Sequence, residues 1–128
     1  MVSPVVPGLT DHELEPILEA SAAAGAIAAS SIVLRLPREV GPLFRAWVEE
    51  TYPNRAQKIM ARVQELHGGR DYDPTFGKRM TGEGKWAELM QQRFRLACRR
   101  SGLDRKLPAL RTDLFKVPLD VGDQLSLL

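Results

Sequence analysis

The 128-residue chain contains one cysteine, Cys98. A single thiol can form no internal disulfide, and iron–sulfur clusters are held by several cysteine thiolates. The cysteine count therefore predicts that the chain is not a self-sufficient radical or redox enzyme. A lone cysteine is also typical of proteins from a reducing compartment.

Long apolar runs and an early basic segment are missing as well. No apolar stretch approaches the roughly 20 residues that a membrane-spanning helix needs. No Lys or Arg precedes Arg35, whereas a secretory signal peptide begins with a positively charged region. We therefore expect a cytoplasmic protein with no membrane partner.

Charge is distributed unevenly around a net value of +2. Residues 1–77 carry 7 basic and 10 acidic side chains, giving −3, and residues 78–116 carry 11 basic and 4 acidic ones, giving +7. Two interpretations are open: a solvated helix face, which charge alone favours, or a surface that attracts polyanions.

Residues 1–37 predict a βαβ unit. An apolar run over residues 1–6 predicts a strand, and residues 30–36 predict a second strand rich in branched side chains. Between them, Thr10 and Glu13 have the spacing of a capping box at the start of a helix, which Gly25 ends. This order implies parallel strands and a right-handed crossover.

Residues 38–102 are predicted to be mostly helical, so the expected fold class is α/β with a helical extension. Apolar spacing predicts helices over residues 40–51, 54–67 and 85–101, with Asn54 and Gly102 as caps. In the last helix, the side chains predicted to face inward are Trp86, Leu89, Met90, Phe94, Ala97 and Cys98. Residues 103–128 are predicted to form an extended tail.

Two parallel strands rarely form a sheet by themselves. Apolar surface is therefore expected to be exposed at Val2, Val5, Ile32 and Leu34 in a monomer, which predicts self-association.

Residues that perform catalysis or bind metal are not predicted. His67, Asp71 and Asp73 match no established metal-ligand spacing. Cys98 lies on the apolar side of its helix, which favours a packed thiol over a nucleophile.

Four segments carry a resemblance to a known family. VSPVVPGLTDHELEPILEASAAAGA and SIVLRLP resemble the fifth strand, fifth helix and sixth strand of a radical S-adenosylmethionine (SAM) partial TIM barrel. HGGRDYDPTFGKRMTGEG and KWAELMQQRFRLACRRSGL are similar to the C-terminal extension of bacterial radical SAM proteins related to spore photoproduct lyase, described as DNA repair photolyase-like. The resemblance covers residues 2–103.

The resemblance implies a C-terminal fragment that is inactive on its own. The family binds S-adenosylmethionine and holds its [4Fe–4S] cluster through a CxxxCxxC loop, which this chain lacks together with the first four strands. Both cofactors are therefore expected only in a full-length relative, where the role is linked to DNA repair or nucleic-acid modification. The alternative is a small non-enzymatic module that binds nucleic acid and a sliding clamp.

The resemblance also implies cofactor-binding positions at the C-terminal ends of the strands, where parallel barrels bind ligands. Val6, Arg35 and Leu36 are the candidates for lining an adenosyl pocket. Packing in the barrel core explains Val6 and Leu36 equally well.

Seven basic residues within 23 positions are the candidates for binding nucleic acid through phosphates, in a manner sensitive to salt and independent of sequence. They are Lys78, Arg79, Lys85, Arg93, Arg95, Arg99 and Arg100. The alternative is that they only keep the helix soluble.

The last five residues, QLSLL, resemble the bacterial sliding-clamp-binding peptide, whose commonest forms are QLSLF and QLDLF. Gln124 would contact backbone, and Leu125, Leu127 and Leu128 would fill an apolar pocket, with Leu128 in place of the usual Phe. The alternative is that this tail packs on its own helices.

Overall fold

The computed structural model describes residues 1–116 and 118. The elements in chain order are β1 (Val2–Val5), a 3₁₀ turn (Asp11–Glu13), α1 (Leu14–Ala23), β2 (Ser31–Val33), α2 (Val40–Thr51), α3 (Ala56–Leu66) and α4 (Gly84–Arg100). β1 and β2 are parallel neighbours. The predicted βαβ unit and mixed α/β class are thus confirmed at this level.

The predicted capping box at Thr10 and the predicted cap at Asn54 are both wrong. The hydroxyl of Thr10 accepts a hydrogen bond from the Val6 amide at 2.9 Å, so it does not cap a helix. α1 begins only at Leu14, which places Pro16 in the first turn, where a missing backbone N–H leaves no bond unmade. Asn54 likewise lies outside α3, which begins without a side-chain cap.

The core occupies both faces of the sheet. Val6, Leu34 and Leu36 pack with Val48 of α2 and with Ile59 of α3. On the other side, the apolar faces of α1 and α4 meet in a cluster formed by Val5, Leu14, Leu18, Ala97, Cys98 and Leu103. Successive residues of an extended chain point to opposite faces, so Val5, the last residue of β1, and Val6, just after it, enter opposite clusters.

Burial differs from the sequence prediction at three apolar positions. Val5 and Leu34 are buried, so the expectation that they are exposed is wrong, while Val2 and Ile32 are half-buried. Leu89 was predicted to face inward, yet it is 51% exposed. Self-association stays a prediction, but it loses part of the apolar surface on which it was based.

The end of α4 follows the sequence prediction. Gly102 has a φ of +67°, a conformation that favours glycine. Its amide donates to the Arg99 carbonyl at 3.2 Å, and the Leu103 amide donates to the Cys98 carbonyl at 2.8 Å. This Schellman arrangement ends the helix and buries Leu103. Among the described helices, none is both long and apolar enough to cross a bilayer.

Candidate nucleic-acid interface

α4 has a packed face and an open face. Ala87, Met90, Ala97 and Cys98 are buried against the body. Because side chains three and four positions apart share a helix face, this packing leaves the opposite face in solvent. Burial also raises the pKa of the Cys98 thiol, which disfavours the reactive thiolate.

The open side of α4 and its last turn carry four exposed cations, Lys85, Arg95, Arg99 and Arg100. Among the residues that the structure describes, none of the four forms an ion pair. Glu88 is the acidic residue that shares this exposed region. From Lys85 to Arg99 the helix rises about 21 Å, given 1.5 Å per residue. These four cations therefore lie at the two ends of the helix, Lys85 in the first turn and Arg95, Arg99 and Arg100 in the last two turns.

A shallow depression lies within this open face. It is lined by Gln92, Arg95, Leu96 and Arg99. Arg95 and Arg99 are one turn apart, so their guanidinium groups border the same depression. Arg99 and Arg100 also lie in the last turn, where cations interact favourably with the helix dipole.

Arg93 has a different role from its neighbours. Its guanidinium donates two hydrogen bonds to the Glu15 carboxylate, at 2.8 and 2.7 Å, and a third to the Asp11 carbonyl at 3.1 Å. The hydrogen bonds from Arg93 lower the pKa of Glu15. This bidentate pair ties α4 to α1 and neutralises the charge of Arg93.

The two basic residues of the loop before α4 also have partners. Lys78 forms an ion pair with Glu83 at 2.8 Å. Arg79 places its guanidinium carbon 5.4 Å from the centroid of the Phe76 ring. Of the seven predicted nucleic-acid contacts, the structure brings Arg95 and Arg99 together at one depression. Lys85 and Arg100 are exposed elsewhere on α4, and the charge of Arg100 helps to lower the pKa of Glu15. Lys78 and Arg93 are paired with carboxylates.

The three cofactor candidates have unlike environments. Val6 and Leu36 are buried in the core, so neither presents a polar group to a ligand. Arg35 is half-buried and donates to the Tyr72 hydroxyl at 3.2 Å, with its guanidinium over the Tyr72 ring. One polar group does not make an adenosyl pocket, and a buried lone thiol does not fit a cluster held by three cysteines.

A buried histidine, His67, contacts the same tyrosine ring as Arg35 does. His67 is 2% exposed, and its Nε2–H donates to the Leu34 carbonyl at 3.0 Å. Its ring meets the Tyr72 ring edge-on at 6.0 Å. His67 Nδ1 and Arg35 Nε have no hydrogen-bond partner among the described residues. The 33-residue separation between His67 and Leu34 explains why spacing gave no signal.

The acidic neighbours of His67 in sequence are engaged elsewhere. Asp71 accepts hydrogen bonds from Arg45, at 3.0 and 2.9 Å, and from Gln64 at 2.9 Å, and these bonds lower its pKa. Asp73 accepts from the Thr75 amide. Within residues 1–116 and 118, no group of three or more His, Cys, Asp or Glu side chains converges as metal ligands would.

The predicted clamp-binding residues Gln124, Leu125, Leu127 and Leu128 lie outside the described residues. No protein-family model, curated protein or solved structure matches the chain.

Proposed function

We propose that the chain binds nucleic-acid phosphates through the open face of α4. The proposal rests on Lys85, Arg95, Arg99 and Arg100, four exposed cations without an ion-pair partner among the described residues. A duplex carries about one negative charge per 1.7 Å of its axis, so cations at both ends of a span of about 21 Å can each meet phosphates.

The grouping of cations on one helix, and not their lack of carboxylate partners, favours binding over mere solubility. Elsewhere on the surface Arg62 pairs with Glu65, whereas Lys58 and Arg70 have no carboxylate partner among the described residues. A surface that serves only solubility is normally a mixture of both signs. The open face of α4 instead gathers cations around the single acid Glu88.

We further propose that the chain is the C-terminal part of a radical SAM protein that acts on nucleic acid in the cytoplasm, and that it performs no catalysis alone. The resemblance of residues 2–103 supports this, as does the parallel β1–α1–β2 unit, which is the repeating unit of a partial TIM barrel. An in-frame CxxxCxxC in the genomic sequence upstream supports a fragment. If the upstream sequence lacks this motif, the alternative of a small non-enzymatic module is favoured. That module would bind nucleic acid through the same open face of α4.

Binding is tested by titrating a fluorescent 20-base-pair DNA duplex with the full chain at several salt concentrations. Four phosphate contacts predict a slope of log affinity against log salt of about −3 to −4. Scrambling the duplex sequence should leave the affinity unchanged, because phosphate contacts carry no sequence information. Absence of binding at low salt contradicts the proposal.

A further inference from the structure

The loop between α3 and α4 holds an aromatic ring out in solvent. Phe76 is 87% exposed. A phenyl ring is stabilised by burial, and apolar clusters that accept other aromatic side chains lie in the same molecule. Exposure alone assigns no function to this ring, since Phe115 is 74% exposed as well. The groups around Phe76 decide what the ring can bind.

Hydrogen bonds hold the loop on both sides of the ring. On the N-terminal side, the Asp73 carboxylate accepts from the Thr75 amide at 2.9 Å. On the C-terminal side, the Gly82 amide donates to the Lys78 carbonyl at 2.8 Å, and the Lys78 ammonium pairs with Glu83. Phe76 is therefore presented by a braced loop, which lowers the entropic cost of using it as a contact.

A cation accompanies the ring. The Arg79 guanidinium lies 5.4 Å from the ring centroid, within the range of a cation–π contact. Seven residues after Phe76 the chain reaches Glu83, and α4 begins at Gly84, so the ring precedes Lys85, the first cation of α4, by nine residues. The ring therefore has a guanidinium beside it and the cations of α4 after it in the chain. Proteins bind unpaired nucleobases by combining aromatic side chains with such positive charge.

We propose that Phe76 is a stacking platform for an unpaired nucleobase, in single-stranded nucleic acid whose phosphates follow the open face of α4. This inference rests on the proposed function and narrows its ligand to a single strand. In a duplex each base face is covered by its neighbours, so Phe76 stacks only on an unpaired base. The ring supplies a contact that depends on base stacking, and α4 supplies one that depends on salt.

The test compares a 12-nucleotide single strand with the duplex of the same sequence, for the full chain and for Phe76→Leu and Phe76→Trp. Phe76→Leu should weaken single-strand binding at least fivefold, as loss of one base–aromatic stack does. The duplex affinity should change less than twofold, and the salt slope should be unchanged. Phe76→Trp should retain or strengthen single-strand binding. Circular dichroism confirms that both variants fold.

The outcomes separate this inference from the proposed function. If the full chain binds neither DNA at low salt, both are overturned. If it binds both and Phe76→Leu binds the single strand as well as the full chain does, the stacking platform alone is overturned. Equal losses for single strand and duplex also overturn it, because they indicate a change in the loop rather than a lost stack.

Discussion

The double substitution Arg95→Ala and Arg99→Ala is expected to weaken binding of a short DNA duplex about tenfold or more at low salt. Both guanidinium groups border one depression on the open face of α4. Each phosphate contact contributes about 0.9 to the salt slope, so the slope should fall by about 1.8. Fluorescence anisotropy at three or more salt concentrations measures both quantities.

α3 offers a matched control. Lys58 and Arg62 are exposed, lie one turn apart as Arg95 and Arg99 do, and belong to a different helix. Lys58→Ala with Arg62→Ala removes the same net charge. It should therefore cause only the small loss of DNA affinity that comes from weaker long-range electrostatic attraction. If the two double variants lose affinity equally, binding responds to total charge and the α4 surface has no special role.

Leu66→Ala is expected to destabilise the fold by about 2–5 kcal/mol. Leu66 is 1% exposed and packs with Val33 of β2 and Ala87 of α4, so its side chain joins three elements. Truncation loses the burial of the side chain and leaves a cavity among them. The free energy of unfolding of a small protein is about 5–15 kcal/mol, so the expected loss is a large fraction of it. Urea denaturation measures the loss.

Leu89→Ala is the matched control for this prediction. Leu89 was predicted to face inward, whereas the structure exposes half of it on α4. Its truncation should change the free energy of unfolding by less than about 0.5 kcal/mol. A loss as large as that of Leu66→Ala would mean that α4 is rotated about its axis relative to the structure described.

Two features were predicted correctly because they depend on local sequence. α2 covers the predicted residues 40–51, which carry an apolar stripe, and Gly102, a glycine in the left-handed region, ends α4. β2 is shorter than the predicted 30–36, since only Ser31–Val33 is assigned to the paired strand. The Thr10 cap failed because a backbone amide, that of Val6, engages its hydroxyl.

The candidate site was predicted in part. Arg95 and Arg99 were among the predicted phosphate contacts, and the structure exposes both of them, while their role stays a prediction. The pairing of Arg93 with Glu15 spans 78 residues, and such partners cannot be derived from local spacing. The exposure of Phe76 depends on how its loop is braced, which composition does not encode.

The most direct test of phosphate binding by α4 is a ¹⁵N-resolved NMR titration of the full chain with the DNA duplex. The account predicts that amide shifts concentrate in α4, around Lys85, Arg95 and Arg99, and that they reverse when salt is raised. The amide shifts of α2, and those around the exposed Lys58 and Arg62 of α3, should stay unchanged. Shifts centred on α2 and α3, or none at a DNA excess and low salt, would contradict it.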